Sequence, residues 1–269
     1  MMPSRPARAT VTLELCFDWK KLNCEIDVIV VIGGMIRSGS TFSFNIVREV
    51  LALHGSVETA SANSIERSCF DRPDDQHFIL KTHAPDEDVL ERIRQGSIKC
   101  VCTIRQPEDA IASWMRTFGF SLESAIGFVK TWLFWYQEIS GQALTIDYLL
   151  VDLEPRRAIE KILEYVGAVH DEPFVDALER KYEKVRLKRI YDALVKDEET
   201  VDLGFTYYHR ETFFHRRHIS SLGREAAGEE LLPAQVEQIR AELGEFTAGL
   251  ESFPVEFAGA RSRPSDGLH

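Results

Sequence analysis

The sequence predicts an α/β fold, a parallel sheet with helices packed on both faces. Three observations carry this. Residues 28–32 are a short, continuous apolar run rich in β-branched side chains, the pattern of a strand buried on both faces, and residues 98–104 read as a second buried strand. Segments of helical period follow such runs, so strands and helices alternate along the chain. Polar and cationic residues collect where strands end, at Arg37, Lys81, His83 and Arg105, and open α/β sheets bind ligands at that carboxyl edge.

In chain order, the polar, Pro/Arg-containing start leads to a weakly alternating stretch at 10–17 that reads as an edge strand. The first buried strand, 28–32, is broken by Gly33 and Gly34, and Phe44, Val47 and Leu51 then mark a helix reaching about Leu53. Residues 55–76 are polar and read as loop with a little helix. Residues 78–80 form a short strand stopped by Pro85, and 86–95 a helix with Glu87 and Asp88 in its first turn, where the dipole favours anions. After the strand at 98–104, residues 107–118 form a helix with proline at its start and Ile111, Trp114 and Met115 on one face.

Residues 122–140 read as an aromatic helix (Phe128, Trp132, Phe134, Trp135, Tyr136), used for core packing rather than base stacking. A fourth strand spans 143–150. The helix opened by Pro155 has Ile159, Ile162, Leu163 and Val166 on its core face and Gly167 as its stop. Residues 171–203 are charged helices, whose cations Lys184, Arg186, Lys188 and Arg189 read as a solvated face, with a substrate lid as the alternative. Residues 204–224 are less regular, and 232–243 form a helix started by Pro233. One domain is expected over 1–269, with its core at about 27–257 and flexible tails at 1–9 and 258–269.

A chain of 269 residues with 44% apolar content can bury a full core. Its net charge of −11 argues against general nucleic-acid binding and against a large polyanionic acceptor. The five cysteines (16, 24, 69, 100 and 102) show no metal-ligand spacing, and Cys100 and Cys102 alternate as small core residues. An odd cysteine count without a secretory core points to a reducing cytoplasm, and no apolar run is long enough to span a membrane. His209, His215 and His218 fit no common zinc pattern, so no metal is expected.

Three motifs carry chemistry. Gly34, four residues, then Gly39, Ser40 and Thr41 have the spacing of G-x-x-x-x-G-K-[ST], with Ser40 where the lysine belongs and the cation moved to Arg37. A strand, such a loop and a helix hold phosphate with backbone N–H groups and the helix dipole, so the fold expected is P-loop-like and three-layered. Loss of the lysine argues against ordinary ATP or GTP hydrolysis. The alternative for this stretch alone is a Gly/Ser turn without a ligand. Lys81-Thr82-His83-Ala84-Pro85 places a cation and a histidine at the next strand end. Arg105 and Ser113 lie eight residues apart, about two helical turns, so Ser113 faces the same loop mouth.

Together, Arg37-Ser38-Gly39-Ser40-Thr41, Lys81-Thr82-His83 and the Arg105/Ser113 pair resemble the PAPS-dependent sulfotransferases, PAPS being 3′-phosphoadenosine 5′-phosphosulfate. The first resembles that family's 5′-phosphosulfate loop, and the pair resembles its 3′-phosphate site. Lys81 to Pro85 is similar to the Lys-Thr-His-Leu-Pro run of the cytosolic branch, whose histidine is catalytic, and Lys81 precedes Arg105 by the 24 residues found there. Tyr148 occupies the place of a Tyr-Glu-Asp tyrosine near the nucleotide, without the Glu-Asp. Phe42 stands where the branch often has tryptophan, either stacking on adenine or belonging to the core. Arg216-Arg217-His218-Ile219-Ser220 loosely resembles the late basic segment that reaches the 3′-phosphate.

The resemblance covers about residues 27–245 and implies a sulfotransferase moving the sulfuryl group of PAPS to a hydroxyl or amine of a small molecule, releasing PAP. By analogy with phosphoryl transfer, Arg37 and Lys81 would stabilise charge on the leaving side and His83 would take the acceptor's proton. Arg105, Ser113 and a late arginine would each add about 1.5–3 kcal/mol per charge-assisted hydrogen bond to the 3′-phosphate. The alternatives are a P-loop kinase for a small metabolite, which needs an acidic Mg²⁺ ligand at a strand end, and a non-catalytic nucleotide-binding protein. The acceptor pocket is expected from residues 55–76, 118–136 and 180–215, with an apolar body indicated by their aromatic content. No nucleic-acid or membrane partner is expected, and both a monomer and a homodimer fit the sequence.

Overall fold

The computed structural model describes residues 29–66, 69–70, 73, 75–216, 219 and 231–248. Five strands form an all-parallel sheet in the order β2-β3-β1-β4-β5: β1 (Ile29–Gly34), β2 (Ser56–Ser61), β3 (Gln76–Thr82), β4 (Lys99–Ile104) and β5 (Leu144–Asp147). The expected strand at 10–17 and the terminal tails lie outside the described residues, as do Arg217, His218 and Ser220.

Alternation along the strands sends successive side chains to opposite layers. Val31, Phe78, Leu80, Cys100 and Cys102 pack with α2 (Glu87–Arg94), α3 (Pro107–Phe118), α4 (Leu122–Ile139) and α9 (Pro233–Thr247). Val30, Ile32, Ile79, Val101 and Ile146 pack with α1 (Ser40–Leu51), α6 (Pro155–Val166), α7 (Glu172–Lys181) and α8 (Lys184–Ala193). The three-layer α/β architecture is therefore present, with both sheet faces covered. Helix α5 (Tyr148–Leu153) follows β5, and a two-stranded antiparallel hairpin, β6 (Thr200–Asp202) and β7 (Tyr207–His209), follows α8. The aromatic helix α4 packs into the core: Trp132 and Tyr136 are stacked with ring centroids 4.5 Å apart, and Trp132 Nε1 donates to the Gly33 carbonyl at 3.3 Å.

Three expectations are corrected. Residues 56–61, read as loop, are the edge strand β2, paired in parallel with β3 alone. Its sequence, Ser-Val-Glu-Thr-Ala-Ser, is polar because the strand is only partly covered, so no buried run signals it. Gly33 and Gly34 do not break β1 but continue its ladder, opposite Thr82 and Thr103. The fourth strand read at 143–150 stops at Asp147, whose side chain accepts from Leu149 N at 2.6 Å and caps α5, so Tyr148 opens a helix.

Among the described residues no helix is long and apolar enough to cross a membrane, and Cys69, Cys100 and Cys102 are buried and in no disulfide.

Candidate functional site

The sheet register brings the three motifs together. Ile32 pairs with Lys81 and Gly33 with Thr82, while Gly34 pairs with Thr103, two residues before Arg105. The loop after β1 is thus flanked by Lys81 and His83 on one side and Arg105 on the other. At Gly34 an added Cβ would lie 2.2 Å from Ser40 Cβ and 2.7 Å from Thr103 Oγ1, so the loop closes this tightly only with glycine there.

Ser38 Oγ bonds the Met35 carbonyl at 2.6 Å and Thr103 Oγ1 at 2.5 Å, locking the loop to β4. Arg37 and Gly39 both take the left-handed conformation, at φ 59° and 91°. Such backbone turns expose successive N–H groups to one side. Helix α1 then begins at Ser40 with no side-chain cap and no acidic residue in its first turn, leaving the positive end of its dipole unneutralised.

The loop opens into a cavity of about 380 Å³ lined by residues 37–42, Lys81, His83, Arg105, Ser113 and Tyr148. Arg37 Nε donates to Ser113 Oγ at 3.0 Å, Arg105 Nη1 donates to the Arg37 carbonyl at 3.2 Å, and the Arg105 guanidinium lies over the Tyr148 ring at 4.2 Å. Phe42 is a core residue, edge-on to Tyr182 with centroids 6.3 Å apart, and it also lines the cavity.

The cations are crowded and desolvated. Burial, with Arg105 adding its charge, lowers the Arg37 pKa to about 9. Burial lowers Lys81 to about 8 and also lowers Arg105. Lys81 sits 5.8 Å from the Phe213 ring, and among the described residues no carboxylate pairs with it. Thr41 Oγ1 and Arg105 Nε are buried without a hydrogen-bond partner among the described residues. Clustered cations, a bare helix N-terminus and orphaned polar atoms on one wall suit a polyanionic ligand.

His83 is held from two sides. Its carbonyl accepts from Trp135 Nε1 at 3.1 Å, and its Nδ1 lies 2.5 Å from the Gly34 carbonyl. A carbonyl only accepts, so Nδ1 carries the proton and Nε2 keeps its lone pair. The side chain is exposed on the cavity, and desolvation by the cavity walls, aided by the Lys81 charge, lowers its pKa to about 4. An anion bound beside the ring favours its charged form and raises that pKa toward neutrality.

Arg216 is not among the residues brought together: it is exposed, its Nη1 bonding Tyr207 OH at 3.2 Å. Of the segments expected to shape a pocket, the described residues of 55–76 do not line the cavity, while Phe118, residues 182–185, Leu187, Tyr191 and His215 do. Helix α8 is a cavity wall through Leu187 and Tyr191, with Arg186 and Arg189 on its exposed face. Sequence reasoning named the stretch 180–215 as pocket-shaping but singled out none of Tyr182, Tyr191 and His215 as a site residue, and it missed Arg116. Arg116 follows Ser113 by three residues, so helical spacing could have found it; the others reach the cavity through tertiary packing alone.

No protein-family model and no curated protein matches the sequence. Among solved structures, mouse sulfotransferase SULT7A1 complexed with PAP aligns over 82% of this chain and 85% of that chain, at 13% identity and a TM-score of 0.57. Retinol dehydratase aligns over 82% of this chain in complexes with androsterone and PAP (81% of that chain, 13% identity, TM-score 0.49) and with retinol and PAP (82%, 12%, 0.47). The all-parallel 2-3-1-4-5 sheet with its loop at the end of β1 is thus the fold of a sulfotransferase.

Proposed function

We propose that the protein is a sulfotransferase that moves the sulfuryl group of PAPS to a hydroxyl or amine of a small-molecule acceptor. The observation that carries the reading is the convergence of Arg37, Lys81, His83, Arg105 and Ser113, three separate motifs in the chain, on one cavity of a fold shared with a PAP-bound sulfotransferase.

The loop N–H groups, Arg37 and Lys81 hold the 5′-phosphosulfate and neutralise the charge left on the departing side. Arg105 and Ser113, with Arg116 beside them, hold the 3′-phosphate; Tyr148 and Phe42 border the nucleoside. PAPS supplies the sulfuryl group, transferred by displacement at sulfur. His83 Nε2 takes the acceptor's proton: its depressed pKa keeps it neutral at pH 7, and the incoming anions raise its basicity where it is needed. Trp114 and Phe118 give the cavity an aromatic wall, which fits an acceptor with an apolar body. The same reading places the protein in the cytoplasm. A small-metabolite kinase fits less well, because cations stand at or just beyond the ends of β1, β3 and β4, the acidic residue that ends β5, Asp147, caps α5, and the acidic lining residues Asp152, Glu179 and Glu183 come from the helical wall.

The test is transfer from PAPS to a panel of phenols, alcohols and amines. The reading expects product with at least one acceptor, its loss in His83→Ala, and an unchanged PAP affinity in that variant. Full activity in His83→Ala would remove the assigned base, and failure of the wild-type protein to bind PAP would remove the reading itself.

A further inference from the structure

Beyond the three motifs, the cavity receives a second imidazole. His215 lines it together with Arg37, Lys81 and His83, yet it comes from the turn after β7, more than a hundred residues from all three. That turn is rigidly built. Phe213 N bonds the His209 carbonyl at 2.8 Å, His209 N bonds the Phe214 carbonyl at 2.9 Å, and Asn45 Nδ2, from α1, bonds the Thr212 carbonyl at 2.8 Å.

Phe213 adopts a left-handed conformation at φ 51°, a strained state for a bulky side chain that persists where surrounding structure enforces it. Phe213 and Phe214 are both buried, against Phe44 at 4.6 Å and Tyr191 at 4.8 Å. His215 bridges to Tyr208 in the hairpin, with ring centroids 5.1 Å apart. The strain and the two phenylalanine anchors fix the place from which His215 meets the cavity.

The chemistry of the place is unusual for a packing residue. Burial and the charges of Lys81, Arg37 and His83 push the His215 pKa down to about 3. A position facing that many cations would be more cheaply filled by an aromatic residue, as Tyr207, Tyr208, Phe213 and Phe214 fill its surroundings. A neutral imidazole offers one N–H donor that does not compete for a proton, and such a group polarises an oxygen without acting as a base.

We propose that His215 contacts the sulfuryl group of the bound donor as a neutral hydrogen-bond donor, while His83 takes the acceptor's proton. This rests on the sulfotransferase reading and adds a division of labour between the two imidazoles. The residue's contact is with the group transferred, not with the nucleotide that carries it.

Calorimetric titration with PAPS and with PAP, without acceptor, tests this on the wild-type protein, His215→Ala and His215→Gln. The expected result is that His215→Ala weakens PAPS about tenfold and leaves PAP within about twofold, as loss of one hydrogen bond to the sulfuryl group predicts. His215→Gln, which retains an N–H donor, recovers most of the loss. Equal weakening of both ligands, or of neither, overturns the inference. If His215→Ala fails to fold, ¹⁵N spectra of the wild-type histidine rings decide: PAPS shifts the His215 ring signals beyond what PAP does, and identical spectra in the two complexes overturn the inference. A wild-type protein that binds neither ligand overturns the sulfotransferase reading instead.

Discussion

Replacing Lys81 by methionine will make the free protein more stable and its nucleotide complex weaker. Lys81 is 6% exposed at the end of β3, and burial lowers its pKa from 10.5 to about 8. A depression of that size corresponds to roughly 3 kcal/mol held against the charged form at pH 7. The interaction with the Phe213 ring, worth about 0.5–2 kcal/mol, is lost with the charge. Methionine keeps the unbranched stem, so the net gain at pH 7 is about 1–3 kcal/mol.

The sign follows from proton counting. Between pH 8 and 10.5 the unfolded chain binds the Lys81 proton and the folded chain does not, so wild-type stability rises through that window relative to the variant. The penalty is fully present below pH 8 and gone by about pH 10.5. Urea unfolding of both proteins at pH 7 and pH 10, with PAP titrations at pH 7, measures all of this. The variant should unfold at higher urea at pH 7, lose most of that advantage by pH 10, and bind PAP at least about tenfold more weakly. A Lys81→Met protein less stable than wild type at pH 7, or a stability difference that does not change with pH, would refute the reasoning.

Two further outcomes follow from the same geometry. Gly34→Ala forces a Cβ to within 2.2 Å of Ser40 Cβ, so it should cost about 1–3 kcal/mol in thermal or urea unfolding and abolish PAP binding. Arg105→Met should weaken PAP by about 1.5–3 kcal/mol, roughly 10- to 150-fold by calorimetry, while leaving adenosine 5′-phosphate nearly unaffected, because Arg105 lines the part of the cavity assigned to the 3′-phosphate.

Much of this fold is legible in the sequence because its central strands are buried on both faces: β1 opens as a continuous apolar run, and β4 carries apolar side chains at Cys100, Val101, Cys102 and Ile104. The edge strand β2 lacks that constraint and reads as loop. Asp147 hides the end of β5, since the apolar Leu149 and Leu150 that follow continue a strand pattern until the cap is seen. At the site, the residues immediately after strands were readable, because the ends of adjacent parallel strands must meet. His215 and Tyr191 were not, since a turn and a helix bring them in from the far end of the chain. Arg216 illustrates the opposite limit: a basic stretch shows charge but not direction, and its guanidinium rests on Tyr207.

The most direct measurement is the thermal stability of the wild-type protein with PAP and, separately, with ATP and Mg²⁺. At a hundredfold excess over its dissociation constant, PAP should contribute about 2.7 kcal/mol, raising the melting temperature by about 5–10 °C. ATP with Mg²⁺, which lacks the 3′-phosphate, should give a far smaller shift. A strong shift with ATP and Mg²⁺ and none with PAP would contradict the sulfotransferase account.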